Sequence, residues 1–228
     1  MDSFIALLPD LLKAFWETLQ MVGISFILAI LFGIPLGLFL FITDKGLFWE
    51  NRFLNVFGGF LINVIRSTPY VILLVLLLPL TQFLIGTTIG PIAASFSLSV
   101  AAIAFYARLV QVSLCEVDKG VIEAATAYGA TPFQIIKGVL LPEALPGLLR
   151  GLTVTGISLV GYSAMAGIVG GGGIGDLAIR FGYYRYETDV MVITVIILII
   201  LVQIVQVLGD VMANKVDKSP DLATAIKR

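Results

Sequence analysis

The sequence predicts an all-α, polytopic membrane protein with five membrane-spanning helices and a helical loop on the cytoplasmic side. Three observations carry this reading: the composition, the length of the charge-free runs, and the uneven sharing of Lys and Arg between the segments that join them. Hydrophobic residues make up 59% of the 228 positions and charged ones 13%, against about 25% charged in an ordinary soluble domain. A single cysteine, Cys115, and the absence of histidine exclude an intrachain disulfide and a Cys/His zinc site. They also exclude a Cys–His dyad and a Ser-His-Asp triad. No metal or other cofactor is expected. A net charge of −1 gives no electrostatic case for nucleic acid. The first residues lack a basic region followed by a short apolar core and a small-residue cleavage site, so no removable signal peptide is expected.

The spans follow from counting. Thr18–Thr43 is uncharged for 26 residues, Gly151–Gly175 for 25 and Val190–Gly209 for 20, each enough for the roughly 20 residues a helix needs to cross the hydrocarbon core. Ser67–Ala107 runs uncharged for 41 residues but is interrupted by GTTIGP at 86–91, which makes it two spans. The expected spans are about 18–43, 67–85, 91–114, 151–170 and 190–210, within one transmembrane domain over 1–214, followed by a tail at 215–228. Arg108 falls near the end of the third, where a long basic side chain can reach the headgroups. Five spans put the termini on opposite sides. With the N-terminus outside, ten basic residues lie within (Lys45, Arg52, Arg108, Lys119, Lys137, Arg150, Lys215, Lys218, Lys227, Arg228) and three without (Lys13, Arg180, Arg185). The positive-inside bias therefore favours an external N-terminus and a cytoplasmic C-terminus.

On that topology the segment 118–147, DKGVIEAATAYGATPFQIIKGVLLPEALPG, is cytoplasmic, and it carries more ordered turn chemistry than a connection needs. Asp118 can cap a short helix running to Tyr128, with Gly129 where a left-handed residue is wanted. Thr131, Pro132 and Gln134 then stand at N-cap, N1 and N3 of a second helix, a capping box with proline where its missing N–H costs nothing. This helix is expected to stop before Pro142, and Pro146 to open the next span.

EAATAYGATPFQIIKGVLLP (Glu123–Pro142) resembles the cytoplasmic EAA loop of ABC importer permeases: E-A-A, three residues, Gly, nine residues, an aliphatic residue, then x-L-P. Glu123, Ala124, Ala125, Gly129, Leu141 and Pro142 match residue by residue, and Val139 stands where isoleucine is more usual. INVIRSTPYVILLVLLLPLT (62–81), GATPFQIIKGVLLPEALPGL (129–148) and LVGYSAMAGIVGGGGIG (159–175) are similar to the methionine-importer branch of that family, and the five-span plan agrees. The resemblance implies an inner-membrane permease subunit that moves an amino acid, methionine first, into the cytoplasm. It implies a second copy of the chain, two ABC ATPase subunits docked on the EAA helix, and an extracytoplasmic substrate-binding protein.

The residues agree with an external energy source. No expected span contains Asp or Glu, the groups ion-coupled carriers keep in the membrane, and the chain has no G-x-x-x-x-G-K-[ST] phosphate loop. GGGGIGD (170–176) lacks the lysine and hydroxyl of such a loop and reads as a hinge or a close-packing element. A nucleotide-independent channel is the rival of a different class; it has no use for an elaborated 118–147 segment. A membrane enzyme would need an intramembrane acid–base pair that is absent.

Two further features are weighed. Asn51, Asn55, Gly59, Asn63 and Arg66 recur at helical spacing. They form a polar face near the first cytoplasmic segment, either on an interfacial amphipathic helix or turned towards a second copy or the pathway. Tyr162, Ser163 and Met165 lie on a span rich in small residues, where Met165 is packing or, as the resemblance implies, a flexible gate, with Tyr162 and Ser163 its neighbours. GIPLG (33–37) is a small-xxx-small pattern that lets helices approach closely, with Pro35 expected to bend the span.

Overall fold

The computed structural model describes residues 2–217, with side chains from residue 7 onward. Its elements are α1 (Asp2–Ile42), α2 (Arg52–Ser67), α3 (Tyr70–Ile85), α4 (Pro91–Cys115), α5 (Lys119–Ala127), α6 (Pro132–Ile135), a π-helical turn (Ile136–Leu140), α7 (Leu141–Gly167), α8 (Gly173–Leu177), a second π-helical segment (Ala178–Tyr183) and α9 (Thr188–Val216). No strand occurs among the described residues. Leu7–Ile42, Pro91–Cys115, Pro132–Gly167 and Thr188–Val216 are each long and apolar enough to cross a membrane, and α2 with α3, bent by 110° at Thr68–Pro69, make a fifth candidate when taken as one broken span. Of the expected tail, residues 218–228 lie outside the described residues.

The departures from the expected boundaries have physical reasons. Helix α1 starts sixteen residues before the expected 18, because counting uncharged residues finds the apolar stretch and not the helix. Asp10, Lys13 and Glu17 simply continue the same helix, with Lys13 and Glu17 one turn apart at 4.0 Å. The second helix of the 118–147 segment does not stop before Pro142, and Pro146 lies inside α7 rather than opening it. A proline there removes one backbone donor and crowds the carbonyl four residues back. The π-helical turn relieves this: the Leu141 N–H reaches back five residues to the Ile136 carbonyl, the wider i→i+5 geometry that inserts one residue into a helix. Helix therefore runs without interruption from Pro132 to Gly167. The charge-free run beyond it does not continue the span but turns back as α8.

Helix α4 is the centre of the bundle. One face of α1 lies directly on it through GIPLG: a Cβ on Gly33 would come within 2.9 Å of Tyr106 Cδ1, and one on Gly37 within 2.5 Å of the Ala107 carbonyl oxygen. Pro35 stays inside the helix. A buried serine cluster joins the same pair, with the Ser25 hydroxyl donating to the Ser95 carbonyl at 3.1 Å and the Ser99 hydroxyl to Ser25 Oγ at 3.3 Å. Interhelical bonds of this kind hold helices where lipid supplies no hydrophobic drive for them to associate. The main core adds Leu73, Leu98, Leu114, Ile135, Leu140 and Leu159. Helix α9 lies at the periphery, with Val195, Ile199, Val207 and Val211 exposed, an apolar surface suited to hydrocarbon.

Helix ends gather at two levels. At one, Glu17 and Thr18 of α1, Gly90 before α4 and the Gly170–Gly173 turn meet. At the other, the Thr43–Phe48 connection, Cys115 and α5 come together around shared clefts. The two ends of the described chain belong to opposite levels, since Asp217 pairs with Arg150 near the start of α7.

Candidate functional site

Helix α5 is short and lies at the surface. Asp118 caps it, accepting from Gly120 N–H at 2.7 Å, and none of its residues is fully buried. Its C-terminus closes through two bonds: Gly129 N–H to the Thr126 carbonyl at 2.9 Å, and Ala130 N–H to the Ala125 carbonyl at 3.1 Å. This is the Schellman pattern, which requires a left-handed residue at Gly129, and φ there is +81°. Two residues on, the Thr131 N–H donates to Gln134 Oε1 at 2.8 Å and the Gln134 N–H to Thr131 Oγ1 at 3.5 Å, with Pro132 at the first helical position. The expected caps are all present. Ile135, Ile136 and Leu140 then plunge into the core, so the onward helix is firmly seated within about one turn of its start.

Across α5 the side chains divide. Ile122 and Ala125 pack inward against the core, while Glu123, Ala124 and Gly129 are exposed and Tyr128 stands almost fully in the open at 92%. Ala125 thus seats α5 on its own chain rather than offering a surface outward. Clefts of about 570 and 450 Å³ lie between α5 and the Gly46–Leu47 corner, with Glu123 on the wall of both. Leu141 and Pro142 are not part of this surface; they sit in the first turn of α7, beyond the π-helical turn.

On α7 the residues Val154, Gly161, Met165 and Ile168 are exposed at intervals of seven, four and three, forming one open stripe. Met165 is 43% exposed. Tyr162 flanks the stripe and stacks on Tyr70 of α3, ring centroids 4.7 Å apart and planes at 13°. Tyr70 in turn bonds Ser97 of α4 at 3.2 Å. Ser163 does not share that face: it is buried, and its hydroxyl donates to the Val160 carbonyl of its own helix. Sequence reading missed Tyr70, whose only signal is an aromatic directly after STP at the mouth of an aliphatic run.

The polar face of α2 resolves into separate roles. Asn51 accepts from the Leu54 N–H as the N-cap, and Asn55 Nδ2 donates to the Leu40 carbonyl at 2.7 Å, tying α2 to the end of α1. Asn63 is exposed. Arg66 lies over the Phe105 ring, Cζ 5.8 Å from the centroid. Helix α2 therefore does not stay at the level of α5. It climbs from the end of α1, through Ile62 packed with Ala104 and Ala107, to the middle of α4.

At the other level GGGGIGD proves to be a packing element. Gly172 and Gly173 have φ of +77° and +82°. Gly173 N–H donates to Glu17 Oε2 at 2.8 Å, Ile174 N–H to Thr18 Oγ1 at 2.9 Å, and Gly90 N–H to the Gly170 carbonyl at 2.9 Å. Glu17 is a site-shaping acid just outside the expected first span, invisible to a search confined to that span.

Known proteins place this arrangement. Residues 29–219 match the family model described as the binding-protein-dependent transport system inner membrane component. The chain is 50% identical over 216 residues to a probable D-methionine transport system permease protein MetI of Vibrio cholerae serotype O1, covering 94% of this chain and 96% of that one. It is 46% identical over 211 residues to the methionine import system permease protein MetP of Bacillus subtilis, covering 92% and 95%. Among solved structures, a chain of the inward-facing MetNI methionine ABC transporter superposes with a TM-score of 0.91 at 42% identity, over 93% of this chain and 99% of that one. The bundle of apolar helices, the exposed α5 and above all these matches establish that the chain belongs to the binding-protein-dependent transport system inner membrane component family, whose members are multi-pass permeases of ABC transporters.

Proposed function

We propose that this chain is the permease subunit of an ATP-driven importer for methionine, working as two copies with two separate ABC ATPase subunits and an extracytoplasmic binding protein. The observation that carries the reading is the build of 118–167. A force applied to a soluble subunit reaches the bilayer only through an element that docks outside it and continues rigidly within it. Helix α5 is exposed and set off by clefts, and it is joined by a Schellman turn and a capping box to one helix running from Pro132 to Gly167. Glu123, Ala124 and Gly129 form the docking surface, Ala125 seats it on the chain, and Leu141 and Pro142 belong to the helix that carries it onward. The chain itself hydrolyses nothing. The Lys/Arg asymmetry puts α5 and the C-terminus in the cytoplasm and the Gly170–Gly173 turn outside. Met165, on the open stripe of α7, faces the path, with Tyr162 beside it and Ser163 packing behind. The methionine assignment rests on the names of the relatives and on the thioether-compatible aromatic pair at Tyr70 and Tyr162.

The test is uptake of labelled methionine by the chain reconstituted with its ATPase and binding protein. Uptake should require ATP, and leucine or alanine should not replace methionine. Transport of another apolar amino acid in its place would overturn the substrate, and solute flux without nucleotide would overturn the importer reading. Reporter fusions after residues 88 and 182 should read as external and one after 215 as cytoplasmic; the reverse pattern overturns the orientation.

A further inference from the structure

Arg66 is placed where a charge is costly. Phe105, under its guanidinium, is 14 residues from Pro91 and 10 from Cys115, the two ends of α4. At about 1.5 Å per residue that is roughly 21 Å from one end and 15 Å from the other. The exposed Arg66 guanidinium thus lies along the middle stretch of α4 rather than at either of its ends. Among the described residues it makes no ion pair and no hydrogen bond; the Phe105 ring is its one contact of note. Ionisable groups within membrane spans are paired or line a functional cavity. Arg66 does line one, of about 120 Å³, bounded also by Thr68, Tyr70, Phe105 and Tyr162. The cavity has a cationic fork at one side and an aromatic wall at the other, formed by the stacked Tyr70 and Tyr162 rings. The hydroxyl of Tyr162 makes no hydrogen bond among the described residues.

We propose that this cavity is a transit subsite for a zwitterionic amino acid, in which Arg66 holds the α-carboxylate and the Tyr70–Tyr162 pair holds the apolar side chain. A guanidinium offers a carboxylate two parallel bonds, and a flexible thioether makes favourable contacts with aromatic rings. The Tyr162 hydroxyl is the available acceptor for the ammonium group. Occupancy would couple the two moving parts, since Arg66 ends α2 and Tyr162 belongs to the helix that α5 drives. Met165 lies three residues along that helix, so the subsite sits one turn from the residue assigned to the path. The inference rests on the amino-acid reading given above and adds where the substrate pauses and what recognises it.

The experiment uses photo-methionine, a diazirine analogue that keeps the carboxylate, on the complete complex in vesicles. The wild-type complex should be labelled on peptides containing Tyr70, Phe105 or Tyr162, and methionine should suppress the labelling while methioninamide, lacking the carboxylate, should not. Arg66→Gln should cut the labelling and ATP-driven uptake by about tenfold, the usual size of a lost charged hydrogen bond, and Arg66→Lys should fall between. Labelling elsewhere, equal labelling of Arg66→Gln, or equal competition by methioninamide would overturn the subsite. Separation of the Arg66→Gln complex into single permeases would assign Arg66 to the copy interface instead. An effect of Arg66→Gln that appears only in anionic-lipid vesicles would assign it to lipid. Absence of methionine uptake by the wild type would overturn the substrate reading itself, and is scored separately.

Discussion

The continuous helix from Pro132 to Gly167 has a glycine turn near each end, and the two turns are built oppositely. Gly129, before the helix, adopts φ +81° in open space: a Cβ there would meet nothing within 4 Å. The turn after the helix is hemmed in. A Cβ on Gly175 would come within 2.3 Å of the Ala164 carbonyl oxygen, and one on Gly167 within 2.3 Å of the Asp176 amide nitrogen. Gly172 and Gly173 combine left-handed φ with contacts to Glu17, Thr18 and Met21. The first turn constrains only its backbone, the second both backbone and volume. The two turns should therefore respond differently to substitution: at Gly129 only the backbone conformation resists a side chain, whereas around Gly167–Gly175 neighbouring backbone resists it as well.

The largest effect should come from the pinned end. Gly175→Ala pushes a methyl into backbone that cannot yield, and overpacking of that kind costs about 3 kcal/mol or more. The variant should aggregate or lose its thermal transition on detergent size-exclusion; a normal transition would mean that α8 can shift away from α7. Next is Gly129→Val, which asks a β-branched residue to hold a left-handed φ. It should insert and dimerise normally yet lose ATPase association or ATP-driven uptake, as should Glu123→Arg by reversing the charge on the docking surface. Gly129→Ala should cost about 1–2 kcal/mol in the turn, and Gly129→Asn should largely preserve function because asparagine tolerates that conformation. Full uptake by Gly129→Val would remove α5 from the drive train.

Glu17→Gln is a finer probe of the pin. It keeps the shape but exchanges a charge-assisted bond to the Gly173 N–H for a neutral one, a loss of about 1 kcal/mol. The melting temperature should fall by a few degrees, whereas Lys13→Ala should leave it unchanged because that partner is 76% exposed and at 4.0 Å. Equal responses would deny the carboxylate a role in holding the turn. The smallest effect on stability belongs to Met165→Ala, since the side chain is 43% exposed. Assembly should be intact while transport or basal ATP hydrolysis changes. An assembled variant with wild-type rates would make Met165 ordinary packing.

Much of this was legible in the sequence. The caps around α5 could be read because Asp118, Gly129, Thr131, Pro132 and Gln134 each act on backbone within a few residues of themselves. The close approach of α1 to α4 was legible on one side only, as GIPLG, because its partner surface at Tyr106 and Ala107 carries no pattern of its own. The passage of helix through Pro142 was not legible. A single proline argues for a stop, and whether a π-helical turn absorbs it depends on Ile135, Ile136 and Leu140 being held in the core. The split of 162–165 into an exposed Met165, a stacked Tyr162 and a buried Ser163 depends likewise on which neighbours α7 meets.

The sequence by itself determined the all-α membrane class, the asymmetry of charge and the local turns, because hydropathy and capping act over short range and are written residue by residue. Tertiary structure alone decided that α1 reaches out to pin the glycine turn with Glu17, and that α2 climbs rather than lies flat. It also decided that Arg66 lies over Phe105 beside two stacked tyrosines. Glu17 and Gly173 are 156 positions apart, and Arg66 and Phe105 belong to different helices. Such pairs are fixed by how helices cross, a property of the surfaces of all of them together and of no single stretch.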